Sequence, residues 1–298
     1  MGVIAEEFNT GKANRDLIMA PTSQNAANLA PHYIENLRLS YSKRMAKAMI
    51  DGYFVPLEGA VFDALDPEFW QSEHVVQDYD PEAHRHCKTY LAVDPGFRSS
   101  AWIWIHEVAP LDFVVFDEIM PEDTSDAACI EAVNGRGWPI DEIWSDPAAG
   151  ATQSTLNLST LDMMNAIKVR GRSRGRGVDA VRFIAGAFRS IPFGVERLRV
   201  LLGDQDIGLP IRVRFAGRLE GAERRSKRGI VKDLMALTYP QAKPGVKLDH
   251  PIKDGITDHS TDALRYWAVG MWLTTDLYNL DPVIAQMAGN KPGYRHAA

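Results

Sequence analysis

The alternation of apolar and polar positions changes character near residue 85. Before it, residues 30–54 ("APHYIENLRLSYSKRMAKAMIDGYF") carry apolar side chains at spacings that predict one or two helices with turn-prone flanks. Residues 55–84 are rich in acids and turn formers and read as a connector. From residue 88 the period shortens. "KTYLAVD" predicts a buried strand over 88–94, stopped by Pro95 and Gly96. "SAWIWIHEV" (100–108) and "DFVVFDEI" (112–119) predict two more strands, and the short links between all three imply an antiparallel meander. "TSDAACIEAVN" (124–134) reads as a helix capped by Thr124 or Ser125, and "IDEIWSD" (140–146) as a fourth strand. Further on, "TLDMMNAIKVR" supplies a helix end and a fifth strand, and residues 177–191 ("GVDAVRFIAGAFRSI") a helix. A strand near 210–217 and a helix near 228–239 follow. Leu264, Trp267, Ala268, Met271 and Trp272 then recur at helical spacing in a last helix, with Ser260 or Asp258 as its N-cap. Strands interleaved with helices predict an α/β fold, a mixed sheet flanked by helices, with a smaller, mainly helical N-terminal segment.

Two of the strands end alike. "YLAVDPG" stops at Asp94 and "EIWSDPA" at Asp146. A carboxylate at the C-terminal edge of a buried strand faces the crevice where open α/β sheets bind ligands. An Asp before Pro also starts an ordinary turn, so either residue alone says little. The last helix adds acids: Asp254, Asp258 and Asp262 stand at four-residue intervals against its start. Helix dipoles favour such charge with no further purpose. Taken together, Asp94, Asp146 and Asp262 or Asp258 form an oxygen-rich set suited to Mg²⁺ or Mn²⁺, and a cation would relieve their mutual repulsion. Two such ions about 4 Å apart can clamp the attacking and leaving oxygens of a phosphodiester.

Composition narrows the classes. The 298 residues suffice for a substantial core, and the net charge of −6 announces no global nucleic-acid field, although a local basic groove remains compatible with it. Two cysteines, Cys87 and Cys129, suggest a reducing compartment instead of a disulfide framework. No apolar run is long enough for a membrane, and residues 1–16 lack the apolar stretch of a signal peptide, so a cytosolic protein is expected. The basic residues cluster. "KVRGRSRGRG" sets Arg170, Arg172, Arg174 and Arg176 on a glycine-rich loop, and "RLEGAERRSKRG" adds Arg218, Arg224, Arg225, Lys227 and Arg228. Guanidinium groups on such a loop suit phosphate contacts that position DNA without reading its sequence. "AHRHCK" brings His84, His86 and Cys87 together, but a zinc site would need a fourth ligand at suitable spacing and none is evident.

The stretches "YLAVDPG", "IWSDPA" and above all "DHSTDALRYW" (258–267) resemble the nuclease part of the large subunit of tailed-phage terminases. The N-terminal "APTSQNAANLAPHYIENL" is similar to the segment that closes that family's ATPase lobe. The resemblance implies a ribonuclease H-like nuclease domain over 86–280, preceded by the tail of an ATPase lobe and linker (1–85) and followed by a C-terminal tail (281–298). It implies Asp94, Asp146 and Asp262 as catalytic metal ligands, Asp258 as a fourth, and two Mg²⁺ or Mn²⁺ ions. Arg265 and Tyr266 are expected to pack or pair locally, and Asp254 to serve the turn at Gly255. The substrate implied is double-stranded concatemeric DNA, the partners a terminase small subunit and a portal protein, and the location the host cytoplasm. The G-x-x-x-x-G-K-[ST] phosphate loop of the family's ATPase is missing, since "NTGKA" at 9–13 lacks the earlier glycine and the hydroxyl. No ATP hydrolysis by that route is expected, and the chain reads as the C-terminal portion of the motor. The rival readings are a non-catalytic DNA-gripping or portal-docking module, a branched-DNA resolvase on the same fold, and a phosphotransferase of the actin or hexokinase type, whose second phosphate loop is not seen.

Overall fold

A computed structural model describes residues 21–40, 50–52, 59–62, 64–65, 70, 72–150, 159–172, 180–181, 183–185, 190–203, 209–223, 228–240 and 250–274. Its centre is a seven-stranded mixed sheet. The strands are β1 (Gly59–Ala60), β2 (Val75–Val76), β3 (Lys88–Asp94), β4 (Ala101–Ala109), β5 (Asp112–Ile119), β6 (Glu142–Ser145), β7 (Val169–Arg170), β8 (Ala180–Val181), β9 (Phe183–Ala185), β10 (Val213–Ala216) and β11 (Thr238–Tyr239). The order across the main sheet is β2-β10-β5-β4-β3-β6-β9. The expected meander is present: β4 runs antiparallel to both β3 and β5, and every other pairing in the sheet is parallel. β1 pairs with β11, and β7 with β8, as separate two-stranded ribbons.

Parity along the strands builds two cores. Tyr90 and Ala92 of β3, Ile103 and Ile105 of β4, and Trp144 of β6 face one side. Leu91 and Val93, Trp102 and Trp104, and Ile143 face the other. The second side is covered by α2 (Asp126–Arg136), capped by Ser125, and α3 (Thr160–Ile167), closed by a reciprocal cap between Ser159 and Asp162. The first side is covered by α4 (Ile191–Leu202), α6 (Ile230–Ala236) and α7 (Asp258–Thr274). The short α1 (Tyr33–Ser40) and α5 (Arg218–Glu223) complete the α-helices among the described residues. Trp267 fastens α7 to the sheet, lying edge-on to Phe113 at 5.0 Å and to Tyr90 at 6.1 Å between ring centres. Each such pair adds about 0.5–1.5 kcal/mol to the burial of the rings themselves.

The segment before residue 86 contributes to this body: β2 extends the main sheet, and Val61, Phe62 and Leu65 lie in the first core. The helix expected over 177–191 is replaced by β8 and β9. Phe183, Ile184 and Ala185 pair in parallel with Ile143, Trp144 and Ser145, and this long-range pairing overrides an apolar spacing that fits either element. The helix starts later, at Ile191, behind the Ser190 cap and with Pro192 in its first turn. On the second face, His106 is fully buried, stacked on Phe116 at 3.9 Å and paired through Nδ1 with the Tyr79 hydroxyl at 2.7 Å. No helix among the described residues is long and apolar enough to cross a membrane.

Candidate active site

Register brings the strand-end aspartates together. β3 and β6 are neighbouring parallel strands, and Val93 stands opposite Ser145. The next position on each is Asp94 and Asp146. Asp94 continues the parity of Tyr90 and Ala92, and Asp146 that of Trp144, so both belong to the side covered by α7. Asp146 is partly exposed, and its Oδ1 accepts the Ala148 amide at 2.8 Å, which shapes the turn after β6.

α7 supplies the opposing residues. Asp254 opens the approach to it: its Oδ1 accepts the amides of Ile256 and Thr257, both at 2.8 Å, and Gly255 adopts a left-handed φ of 73°. The helix begins at Asp258, so Asp258 and Ser260 both sit in its first turn and neither is the N-cap expected from the sequence. Asp258 and Asp262 are one helical turn apart, and His259 and Asp262 are three residues apart, so all can serve one face. His259 Nδ1 lies 2.8 Å from Asp94 Oδ2, closing the gap between β3 and α7. The Asp262 carboxylate is held on both oxygens. Arg265 reaches Oδ1 through Nε at 3.0 Å and Nη2 at 2.9 Å, and Lys253 Nζ reaches Oδ2 at 2.7 Å. Lys253 also lies 4.0 Å from Asp258 Oδ2, while Asp258 Oδ1 is buried with no hydrogen-bond partner. Gly194 of α4 makes room for Arg265, since a Cβ there would meet Arg265 Cγ at 2.5 Å. Arg265 and Tyr266 do pair locally, the guanidinium lying 4.6 Å from the ring centre.

A second layer ties these segments. Ser260 donates to Asp233 Oδ2 at 2.6 Å, and Arg228 bridges Asp233, at 3.8 Å, to the Ser99 hydroxyl in the turn after β3. The turn is tight at Gly96, whose added Cβ would lie 2.6 Å from the Ser99 carbonyl oxygen.

The electrostatics follow from burial. Loss of water pushes the Asp94 carboxyl up to about 6; the nearby Asp262 and Asp146 charges push the same way, and the His259 hydrogen bond opposes them. The bond to Asp94 in turn raises the His259 imidazole above its ordinary value. Burial works against the Lys253 ammonium, but the charges of Asp262 and Asp258 outweigh it and hold the group above its usual range. Asp94 thus feels both Asp146 and Asp262. Even so, no group of three or more His, Cys, Asp or Glu side chains among the described residues is gathered closely enough to hold a metal ion. The donor set itself suits a hard divalent cation: carboxylate oxygens in excess, one of them buried and unpartnered. Lys253 and Arg265 already occupy the Asp262 carboxylate.

The basic candidates divide. Arg170 is exposed. Arg172 turns inward: it grips Asp141 with Nη2 at 2.8 Å and Nε at 2.9 Å, and donates to the carbonyls of Arg85 and Cys87. Arg228 is buried in the network just described. Arg174, Arg176, Arg224, Arg225 and Lys227 lie outside the described residues. His84 and His86 hydrogen-bond to backbone carbonyls of their own turn, and Cys87 lies 3.6 Å from His86. Three site residues were not singled out from the sequence as partners of the acids: His259, Lys253 and Arg265. The spacing of His259 and Arg265, three residues on either side of Asp262, was the available signal.

No protein-family model matches the chain, and no curated protein matches it. Solved structures do. The large terminase of the thermophilic bacteriophage D6E superposes with a TM-score of 0.58 at 16% identity, over 85% of this chain and 54% of that one. A second form of it, in complex with ATP-gamma-S, gives 0.57 at 17% identity, over 84% of this chain and 55% of that one. The large-terminase nuclease domain of bacteriophage SPP1, with bound Mn, gives 0.44 at 14%, over 72% of this chain and 98% of that one. The present chain spans about half the length of the D6E protein. The fold is that of the matched part of the D6E large terminase, and its sheet and flanking helices form a ribonuclease H-like layer structure.

Proposed function

We propose that the chain is the nuclease part of a terminase large subunit, a divalent-metal-dependent endonuclease that cuts double-stranded concatemeric viral DNA during genome packaging. The observation that carries this reading is the register of β3 and β6, which sets Asp94 beside Asp146 on the side covered by the Asp262 helix, within a fold shared with the D6E large terminase. Asp94, Asp146 and Asp262 would hold the cations, and Asp258 would supplement Asp262. Bound there, Mg²⁺ or Mn²⁺ would supply an activated water and stabilise the leaving 3′ oxygen. The chain's own residues prepare for this. His259 lies against Asp94 Oδ2 and can hold a proton there. Arg265 fixes the rotamer of Asp262. The Asp146 turn orients its free oxygen by committing Oδ1 to Ala148. Arg170, with Arg174, Arg176, Arg224, Arg225 and Lys227, is proposed to contact DNA phosphates, which gives little sequence preference. A small subunit and a portal protein are then the expected partners for choosing the cut site, in the host cytoplasm, and this chain is expected to hydrolyse no ATP.

Plasmid cleavage with Mn²⁺, Mg²⁺ or EDTA tests the reading, with Asp94→Ala beside the wild type. Metal-dependent nicking and linearisation that vanishes in the variant is expected; equal cutting by both proteins would sink the Asp94 assignment. One observation favours a second reading. The saturation of Asp262 by Lys253 and Arg265 suits a non-catalytic DNA-gripping or portal-docking module, which would bind duplex and leave plasmid intact with every metal.

A further inference from the structure

The two cations on Asp262 differ in kind. Arg265 is buried, reaches one oxygen through two nitrogens, passes its stem through the notch at Gly194 and lies over Tyr266. It cannot leave without repacking α4 against α7. Lys253 sits on an irregular segment before α7, with its side chain half exposed, and a single contact holds it to Asp262. It can swing into water through its own torsions. Its ammonium, 2.7 Å from Asp262 Oδ2 and 4.0 Å from Asp258 Oδ2, stands between the carboxylates that a cation would use. The remaining oxygen there, Asp258 Oδ1, is buried and accepts no hydrogen bond, so one monovalent charge leaves the pair of carboxylates incompletely satisfied.

Resting on the metal-centre reading above, we propose that Lys253 is a resident counter-ion that occupies the divalent-cation position between Asp258 and Asp262, and must vacate it before a metal ion can bind. The exchange replaces one positive charge by two, and no bond is made or broken apart from ion pairing and coordination. In the absence of DNA the ammonium competes with the metal and keeps its affinity low. A phosphodiester beside the site offers Lys253 another anion, so nucleic acid and metal favour one another's binding. Lys253 thereby acts on metal occupancy through Asp262, as a positioning residue and not a catalytic one.

The test is titration of Mn²⁺ alone into DNA-free protein, followed by calorimetry and by the electron paramagnetic resonance of free Mn²⁺. Wild type is compared with Lys253→Met, Lys253→Arg and Asp262→Asn, and plasmid cleavage is assayed on the wild type. Lys253→Met is expected to bind Mn²⁺ about tenfold more tightly than wild type, a change worth about 1.4 kcal/mol. Lys253→Arg, which keeps the competing charge, is expected to stay within about twofold of wild type. Asp262→Asn should lose the binding. If wild type binds Mn²⁺ and cuts plasmid but Lys253→Met binds no more tightly, the counter-ion proposal alone is overturned. If Mn²⁺ binds none of the proteins and plasmid stays intact, the metal-centre reading and the proposal fall together. The half-exposed position of Lys253 makes both substitutions compatible with folding, which matching thermal melts verify.

Discussion

Replacing Asp94 by Asn should stabilise the metal-free protein. The Asp94 carboxyl is 7% exposed and titrates near 6, against an ordinary value of 3.8. Since the folded carboxyl titrates above the unfolded one, the folded state holds the extra proton between about pH 4 and 6. Wild-type stability in EDTA is therefore greater on the acid side of that window, falls as pH rises through it, and stays reduced above it. The gap between the two titration points corresponds to about 3 kcal/mol. Asn removes that ionisation, and its Oδ1 can still accept from His259 Nδ1. Relaxation of His259, whose raised titration depends on the Asp94 charge, will return part of the gain. A net gain of about 1–3 kcal/mol above neutral pH is expected, which in a chain of this size moves the melting temperature up by roughly 2–5 °C. Thermal melts of both proteins in EDTA, at acid and alkaline pH, read this directly. Added Mn²⁺ should raise the wild-type midpoint and leave the variant unmoved. A variant less stable than wild type in EDTA above neutral pH, or a difference that ignores pH, would refute the reasoning. It would mean that the His259 bond outweighs burial.

Other perturbations probe separate parts of the molecule. Gly194→Ala gains about 1 kcal/mol of helix propensity, but its Cβ meets the held stem of Arg265, a clash worth about 1–3 kcal/mol, so a lower melting temperature and weaker metal-dependent cutting are expected; a more stable, fully active variant would contradict the notch. His106 is buried and its imidazole is pushed down to about 3 by burial first and then by neighbouring positive groups, so its contribution is complete above the unfolded value of 6.5 and lost as pH falls toward 3. The unfolding free energy from urea titrations should drop over that range by up to about 5 kcal/mol, and His106→Phe should lose this acid sensitivity. Arg170→Gln should weaken duplex binding and lower the salt slope by about one, measured by anisotropy across salt concentrations. Arg172→Gln should instead cost about 1–3 kcal/mol in stability, because it removes the guanidinium that pairs with Asp141 and donates to the Arg85 and Cys87 carbonyls, and should not change that slope.

Where the chain is buried on both faces, the sequence was most readable. The strands at 88–94 and 112–119 are built on continuous apolar runs and that at 140–146 on a shorter apolar pair ending in Asp, and the structure sets their ends within a residue or two of expectation. Asp94 and Asp146 were visible for the same reason, as polar stops on apolar strands. Their adjacency was not visible, because register between β3 and β6 is set by pairing across about fifty residues of chain, not by local pattern. The misread stretch at 177–191 shows the limit from the other direction: a short apolar run fits both periods until its partner strand is known. Arg172 and Arg228 look like every other arginine in their clusters. What removes them from the surface is an acid far away in sequence, Asp141, for one, and the Asp233 and Ser99 pair for the other. Lys253 and His259 were overlooked because a salt bridge to a candidate ligand leaves no signature in composition.

The path of the chain through its sheet also dictates the order in which the candidate site assembles. Asp94, Asp146 and Asp262 leave the ribosome in that order, separated by long intervals, and Asp262 rides on a helix that must close over strands made well before it. Until α7 docks through Trp267, the strand-end carboxylates face water with no opposing residue. Such late, long-range closure makes folding slow. For the nuclease proposed above, the same delay would leave the nascent chain unable to cut nucleic acid, so that assembly itself would act as a time lock.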